Sequence, residues 1–376
     1  MRVESLEVLP AARACYVRVR AEDGTCGVGE STYFGWPEAV AEIARSFRSY
    51  LVGRDPFDIE QHFLSLYRAF CFRGMAVTGA LSALDQALWD LKGKHFEAPV
   101  WQLLGGRTRK AVRAMRVLPT GTLDEIVEAA RVAVEVEGYT AIKVLLFQHE
   151  HHGMRQAQVI DDLVARFAAI RETVGWQIDL GVELHRNMTA GDALMLCEEL
   201  VRFRPLFVED PIPPDSVVSL RAFAARSPIP VAAGERNTTI WEFAEYLERP
   251  GVAYARPDVG IAGGITHVHK ICALAEAVHA GVLPHAVPSG PVATAAHVQV
   301  GMCAPNWELQ EHLPQDSPPW TDVVDHVIEL QDGYLLAPDR PGLGIELDDA
   351  GVAKHPSQPP DLGHPALRED GSVAIR

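Results

Sequence analysis

The sequence lacks the features that mark several protein classes. Basic residues are scarce, with 34 Lys and Arg against 50 Asp and Glu, and the formal net charge is −16. A chain of this charge is a poor partner for nucleic acid or an anionic membrane surface. The six cysteines have no C-x-x-C spacing, so we expect reduced, mostly buried thiols rather than disulfides or zinc ligands.

Signals for membranes and secretion are also missing. The long uncharged stretch at 277–307 contains several prolines and three histidines, which excludes it as a membrane-spanning helix. Residues 1–5 lack the apolar core of a signal peptide. We therefore expect a cytoplasmic protein.

Three apolar runs that each end in a glutamate organise the chain. Glu183, Glu209 and Glu235 follow one another at intervals of 26 residues, about the length of one strand-plus-helix unit in a parallel β/α barrel. A lone glutamate at a strand end is more often a surface acid, but three in phase would converge at one barrel mouth. Such carboxylates repel unless a hard cation lies between them, which predicts one Mg2+ per subunit.

The segment 1–110 is predicted to be a separate α+β domain. Two strands flank a turn at 23–24, and Trp36-Pro37 opens a first helix. Further helices are expected over about 56–70 and 77–94. Strands and helices are segregated here rather than alternating, which favours an α+β unit over a barrel segment.

Strand and helix alternate over 111–325, where we expect the barrel. Thr122 and Glu125 have the spacing of a capping box for its first helix. Strand ends continue near the same period and give eight strands, enough to close a barrel. The last segment, 326–376, is poor in helix and is expected to fold back on the first domain and the barrel face.

Two further strand ends carry a histidine and an aspartate. His285 and Asp258 terminate neighbouring strands, so imidazole and carboxylate should come within hydrogen-bond reach and form a general base. His185 lies two residues after Glu183 and should face the same cavity by strand alternation. It is predicted to act as an acid from the other side of a substrate, or else to lie in the outer metal shell or at the barrel rim.

Other residues are candidates for contacts with the metal site or the substrate. Lys143 lies in an apolar strand, where a charge is costly unless it meets an anion, so we expect it to point inward near the metal. Glu311 is preferred over the nearby Glu308 as a hydrogen-bonding partner of a substrate oxygen. Tyr33, Trp36 and Arg73 either pack in loops of the first domain or cap the barrel mouth and bind substrate.

The cluster at 149–152, His-Glu-His-His, invites a zinc interpretation. Its spacing matches no helical zinc motif. A solvated or substrate-covering loop is the better hypothesis.

The chain as a whole resembles the enolase superfamily, in its mandelate racemase-like branch. The resemblance covers nearly all 376 residues. It is carried by the three glutamate strand ends together with GVGE at 27–30, ALSALDQALWDLKGK at 80–94, LLGG at 103–106 and PGLG at 341–344. It implies a (β/α)7β-type TIM barrel with an α+β capping domain completed by the C-terminal segment, and abstraction of a proton α to a carboxylate.

Within that group, the sequence is most similar to acid-sugar dehydratases of galactonate or mannonate type. VELH at 182–185 and REDGSV at 368–373 carry this similarity. It implies that the His285–Asp258 dyad takes the C2 proton of an aldonic or aldaric acid and that the metal holds the enediolate. His185 then protonates the departing 3-hydroxyl, and a 2-keto-3-deoxy acid forms.

Two departures from the family pattern bear on the alternatives. Racemases and cycloisomerases of the superfamily carry Lys-x-Lys on the second strand, whereas this chain has Lys143-Val-Leu145. Leu145 also replaces the polar residue often found there in sugar dehydratases, which leaves the substrate open. A racemase, epimerase or cycloisomerase, or a non-catalytic barrel that binds metal and sugar acid, remain alternatives. We expect an anionic sugar-acid ligand and a homo-oligomer.

Overall fold

The computed structural model describes residues 1–32, 36–69, 74–286, 288–358, 367–368 and 370–374. The strands, in chain order, are β1 Val3–Ala11, β2 Ala14–Ala21, β3 Cys26–Ser31, β4 Val112–Val117, β5 Ala141–Leu145, β6 Asp179–Glu183, β7 Phe207–Glu209, β8 Val231–Ala233, β9 Tyr254–Ala255, β10 Gly281–Val282, β11 Gln310–His312, β12 Leu330–Gln331 and β13 Tyr334–Leu335. The helices are α1 Pro37–Ser46, α2 Arg48–Leu51, α3 Ile59–Ala69, α4 Met75–His95, α5 Val100–Leu103, α6 Leu123–Glu135, α7 Gln156–Val174, α8 Ala190–Leu200, α9 Val217–Ala224, α10 Ile240–Leu247, α11 Gly264–Ala277, α12 Pro291–Cys303, α13 Trp320–Val323 and α14 Asp349–Lys354, with 3-10 turns at His149–Gly153 and Val201–Phe203.

The first part of the chain forms an antiparallel sheet, β1-β2-β3, covered by α4. Strand β3 lies directly on α4 because its residues on that side are glycines. A Cβ on Gly27 would lie 2.0 Å from the carbonyl oxygen of Ala87, and one on Gly29 would lie 2.0 Å from that of Ala83. Since successive side chains of a strand point to opposite faces, Glu30 points away from the helix.

The polar residues of α4 attach this layer to the rest of the chain. Ser82 Oγ accepts a hydrogen bond from the Gly263 amide at 2.8 Å, and Gln86 Nε2 donates to the Val259 carbonyl at 3.0 Å. Both side chains are buried. The LSALDQ part of the sequence motif is therefore an interdomain contact as well as a helix.

Asp90, near the end of the same helix, joins distant parts of the chain. Its Oδ2 accepts from the Val28 amide at 2.9 Å and its Oδ1 accepts from the Leu343 amide at 2.7 Å. Lys94 Nζ lies 2.9 Å from Oδ2 and supplies the countercharge that a buried carboxylate requires. One side chain thus fixes both β3 and the C-terminal PGLG turn.

Eight parallel strands, β4 to β11, form the second layer and confirm the predicted barrel architecture. Strand pairing is continuous from β10 through β4 to β11. Between β10 and the residues leading into β11, the described part of the chain has one parallel bridge, Val282 to Trp307. A buried apolar layer fills the interior below the strand ends and is composed of Met115, Ala141, Phe207, Ala232, Leu283 and Leu309.

The C-terminal segment contacts both layers. Strands β12 and β13 form a hairpin, and β13 pairs antiparallel with β4. The Val100 amide donates to the Gly342 carbonyl at 2.9 Å. Pro356 forms a bridge with Ala11 at the end of β1.

The local predictions on the first barrel helix agree with the structure. Thr122 N donates to Glu125 Oε2 at 2.8 Å, and the Glu125 amide donates back to Thr122 Oγ1 at 3.4 Å, which completes the capping box. The helix ends at Glu135, and Gly138 then adopts a φ of +77°, the left-handed conformation favoured after helices. Among the described residues, no helix combines the length and apolar character needed to cross a bilayer.

Candidate active site

The three glutamates spaced by 26 residues meet at the C-terminal ends of β6, β7 and β8. Glu183 and Glu209 are paired neighbours across the ladder, and Glu235 lies two residues beyond β8. Each offers a carboxylate oxygen within 4.8 Å of the others. Among the described residues, this is the one cluster of acidic, His or Cys side chains close enough to share a metal ion.

Lys143 points into this cluster from β5. Its Nζ lies 3.0 Å from Glu183, 2.9 Å from Glu209 and 2.5 Å from Glu311. Burial acts to lower the pKa of Lys143, but the charges of Glu209 and Glu311 raise it overall, so the ammonium stays charged. Leu145, two residues on, lies beside Glu183 in the ladder and has no proton to exchange.

Arg256 is a second buried cation between the acids. Its Nε donates to Glu209 at 2.5 Å, its Nη2 donates to Glu311, and its Nη1 donates to the Leu283 carbonyl at 2.9 Å. Glu311 also accepts from the Ala286 amide at 3.1 Å. The structure therefore places Glu311 inside the cluster, whereas Glu308 is exposed.

His185 reaches the cluster by a route that differs from the prediction. Strand β6 ends at Glu183, and His185 has a φ of +49°, so the alternation of an extended strand does not apply. Its Nε2 accepts a hydrogen bond from Arg186 Nη2 at 2.6 Å, and Arg186 Nη1 contacts Glu235 and Asp210. Burial and the charge of Arg186 lower the pKa of His185 to about 4.

His285 and Asp258 form the predicted pair. Nδ1 of His285 lies 2.9 Å from Oδ2 of Asp258, and Nε2 lies 3.8 Å from Glu235 Oε2. Desolvation acts to lower the pKa of His285, but the hydrogen bond to Asp258 and the charges of Glu235 and Glu311 raise it to about 9. Because a cation on Glu235 would oppose this effect, metal binding would lower the pKa of the imidazole.

The charges of the cluster fit a divalent cation. Five carboxylates touch three cations: Glu183, Glu209, Asp210, Glu235 and Glu311 face Lys143, Arg186 and Arg256. With all groups ionised, two negative charges are left over. Burial and the charge of Glu209 accordingly raise the pKa of Glu183 well above its usual value. Oxygen donors with this excess charge suit a hard ion such as Mg2+.

The remaining predicted positions are the three capping-domain residues and the histidine-rich stretch at 149–152. Tyr33 and Arg73 lie outside the described residues. Trp36 precedes α1 and is 44% exposed. The histidine-rich stretch forms a 3-10 turn in which buried His151 is bound to Asp162 at 2.9 Å, and the described residues show no metal cluster there.

Sequence reasoning missed three charged residues of the site. Arg256 follows an apolar strand, and the rule that pointed to Lys143 would have found it. Asp210 and Arg186 directly follow a predicted site residue, but their pairing depends on left-handed turns at φ +39° and +69°. Such backbone conformations are rare for residues other than glycine, and the sequence pattern does not predict them.

Comparison with known proteins identifies the class. Residues 125–351 match the enolase C-terminal domain-like family, and residues 4–105 match the mandelate racemase / muconate lactonizing enzyme N-terminal domain. The chain belongs to the enolase superfamily, as its motifs predicted.

Relatives narrow the class further. The chain is 35% identical to the D-galactonate dehydratase of Variovorax paradoxus over 99% of this chain and 98% of the relative, and 35% identical to that of Xanthomonas euvesicatoria over the full length of both. Among solved structures, it superposes with a TM-score of 0.93, at 28% identity and full coverage of both chains, on an enolase from Agrobacterium radiobacter named as a candidate galactarate dehydratase, bound to Na and L-malate. A candidate dehydratase from Salmonella enterica gives a TM-score of 0.88 at 31% identity, with 94% of this chain and 98% of that chain covered. The chain is an enzyme of the hydro-lyase class.

Proposed function

We propose that the chain removes water from an acid sugar, an aldonic or aldaric acid, and releases a 2-keto-3-deoxy acid. The observation that carries this proposal is the pair of imidazoles beside Glu235. Oε2 of Glu235 faces His285, whereas Oε1 contacts Arg186, which in turn binds His185. A base and an acid on two sides of one anion-binding cluster suit β-elimination.

Glu183, Glu209 and Glu235 would hold one Mg2+. When bound, the ion supplies positive charge for the substrate carboxylate and for the charge that develops on it as the C2 proton leaves. Lys143 and Arg256 hold the proposed ligand Glu209 and the neighbouring Glu311 in place and add positive charge to the site. Because the ion, Lys143 and Arg256 carry positive charge, an anionic substrate can enter a site that contains several carboxylates.

The dyad has the geometry of a general base. Asp258 accepts a hydrogen bond from the Nδ1–H of His285, which leaves Nε2 free to accept the proton from C2 of the substrate. The electron pair of the broken C2–H bond forms the enediolate. As that pair moves to C2–C3, the C3–O bond breaks, His185 gives a proton to the departing hydroxyl, and the resulting enol tautomerises to the 2-keto acid.

Proton donation by His185 requires a rearrangement. Nε2 of His185 accepts a hydrogen bond from Arg186 in this structure, and a nitrogen in that state carries no proton. Arg186 must shift toward its carboxylate partners, Glu235 and Asp210, before His185 can donate. The apolar Leu145 on β5 offers no second base, which favours elimination over racemisation.

The test is to incubate the purified chain with Mg2+ and a panel of aldonates and aldarates, including D-galactonate and galactarate. Products are measured as semicarbazones, and C2 hydrogen exchange is followed by NMR in D2O. His285→Asn should abolish both exchange and product, whereas His185→Asn should abolish product and keep exchange. His149→Asn, in the exposed turn, is the matched control. Absence of product from every aldonate and aldarate would overturn the proposal.

A further inference from the structure

The GVGE motif of β3 has a role that the reaction scheme above does not use. The motif lies at the end of β3, where the side chains of Glu30 and Thr32 point away from α4 and toward the barrel. Glu30 and Thr32 follow each other at the two-residue interval of one strand face. Both side chains are buried, with Thr32 4% exposed.

Thr32 contacts the dyad directly. Its Oγ1 donates a hydrogen bond to Oδ1 of Asp258 at 3.2 Å, and the Gly260 amide donates to the same oxygen at 2.7 Å. The other oxygen, Oδ2, accepts from His285. The carboxylate is thus held on Oδ1 by the capping domain and the barrel together, which fixes the plane in which Oδ2 meets the imidazole.

The close approach of Thr32 to the barrel depends on a glycine. A Cβ on Gly260 would lie 2.3 Å from Thr32 Oγ1 and 2.8 Å from its amide nitrogen. Since Gly260 has no side chain, β3 can come within hydrogen-bond distance of Asp258. The contact between Thr32 and Asp258 therefore requires the hydroxyl on the capping domain and the glycine at position 260 on the barrel.

Glu30 holds the segment that follows the other member of the dyad. Its carboxylate accepts hydrogen bonds from the amides of Gly290 at 2.6 Å and of Val292 and Ala293 at 3.0 Å each, at the N-terminus of α12. That helix begins six residues after His285. The end of β3 therefore fixes the chain beside both Asp258 and His285.

We propose that Thr32 is a positioning residue for the general base: its hydroxyl orients Asp258 and, through it, His285. This inference rests on the proposed function for its kinetic consequence. It goes beyond that function because it gives the capping domain a part in proton abstraction. The hydroxyl acts without touching the substrate.

The decisive variants are Thr32→Val, which keeps the shape and removes the donor, and Thr32→Ser, which keeps the donor. Thr32→Val should lower kcat and the rate of C2 exchange roughly tenfold, with KM changed by less than about twofold, because a misoriented base slows the chemical step rather than binding. Thr32→Ser should restore both rates. Thr78→Val is the matched control, since Thr78 is a buried capping-domain threonine whose hydroxyl donates to the Met75 carbonyl.

A second measurement needs no substrate. The Nδ1 proton of His285 is observed by NMR in 15N-histidine-labelled protein and assigned by its loss in His285→Gln. Its chemical shift should move in Thr32→Val and stay in Thr32→Ser and Thr78→Val. If no acid sugar is turned over by the unmodified chain, the proposed function fails, and this resonance still decides the role of Thr32.

Two outcomes overturn the inference. One is a Thr32→Val protein with unchanged resonance and unchanged kcat. The other is equal impairment of Thr32→Val and Thr32→Ser, which would indicate packing rather than the hydroxyl. If Thr32→Val does not fold, as judged by circular dichroism, Thr32→Ala is compared with Thr32→Ser by the same criteria.

Discussion

The guanidinium of Arg256 donates a hydrogen bond from Nε to Oε1 of Glu209 at 2.5 Å, and both side chains are completely buried. The same guanidinium contacts Glu311 through Nη2. Two buried carboxylates therefore share this arginine as a countercharge, together with Lys143. Removal of one partner from such a buried ionic group leaves uncompensated charge in the interior.

Arg256→Met is expected to destabilise the fold by about 3–5 kcal/mol, because Glu209 and Glu311 lose one of their two shared cations and only Lys143 is left between them. Urea unfolding followed by circular dichroism measures the change. Arg113→Met is the control, since Arg113 is paired with Asp179 near the surface at 2.8 Å and should have a much smaller effect. A loss below about 1 kcal/mol for Arg256→Met would contradict the prediction.

Glu209→Gln is expected to weaken Mg2+ binding by at least about 100-fold, because one charged ligand is lost from the cluster. Isothermal titration calorimetry gives the affinity. Thermal unfolding gives a second measure, since Mg2+ at about 100 times its Kd should stabilise the unmodified protein by about 2.7 kcal/mol. Glu308→Gln, at an exposed position just before β11, serves as control. An Mg2+ affinity of Glu209→Gln equal to that of the unmodified protein would exclude Glu209 as a ligand.

His312 should make stability dependent on pH. Burial, followed by the charge of Arg116, lowers its pKa to about 4, whereas the unfolded imidazole titrates near 6.5. The unfolded state therefore binds a proton first as the pH falls. The stabilisation is present above about pH 6.5 and is lost progressively toward pH 4.

For this group, the loss between pH 7 and pH 5 is about 2 kcal/mol. Urea unfolding at the two pH values is compared for the unmodified protein and His312→Gln, which can still accept from Tyr139, the 2.7 Å partner of His312 Nδ1. The variant should have a smaller pH dependence. His149→Gln, at an exposed site, should keep the original dependence, and an equal slope in all three proteins would count against the prediction.

Gly29→Ala should destabilise the capping layer, because its Cβ would lie 2.0 Å from the backbone oxygen of Ala83. Backbone has to move, and overpacking of this kind costs about 1–3 kcal/mol or more. Limited proteolysis and thermal unfolding report the change. Gly153→Ala, where nothing lies within 4 Å of the added Cβ, should be neutral. Equal stability of both variants would refute the proposed close approach.

The sequence pattern predicted the parts of the site that follow the strand period. Glu183, Glu209 and Glu235, and then Asp258 and His285, are in phase because each β/α unit has a similar length. The structure brings these side chains together at one mouth. The regular spacing of the strand ends in the sequence is therefore enough to predict that these side chains lie at the same end of the barrel.

The rest of the site depends on contacts that no local pattern records. Thr32 and Asp258 are 226 residues apart, and Arg256 and Glu209 are 47 apart. Arg186 reaches the site through a left-handed turn. These relationships follow from packing of the capping layer and from turn geometry after the strands, where strand alternation no longer predicts direction.

The carboxylate of Asp90 also bears on the order in which the molecule is assembled. It binds Val28 near the start of the chain and Leu343 near its end. During synthesis, domains fold as their residues emerge, so the barrel strands up to His312 are complete before Leu343 is available. The hydrogen bond from the Leu343 amide to Asp90 can therefore form only after the barrel strands have been made. The segment that carries Leu343 thus joins a sheet and a set of barrel strands that have already been synthesised.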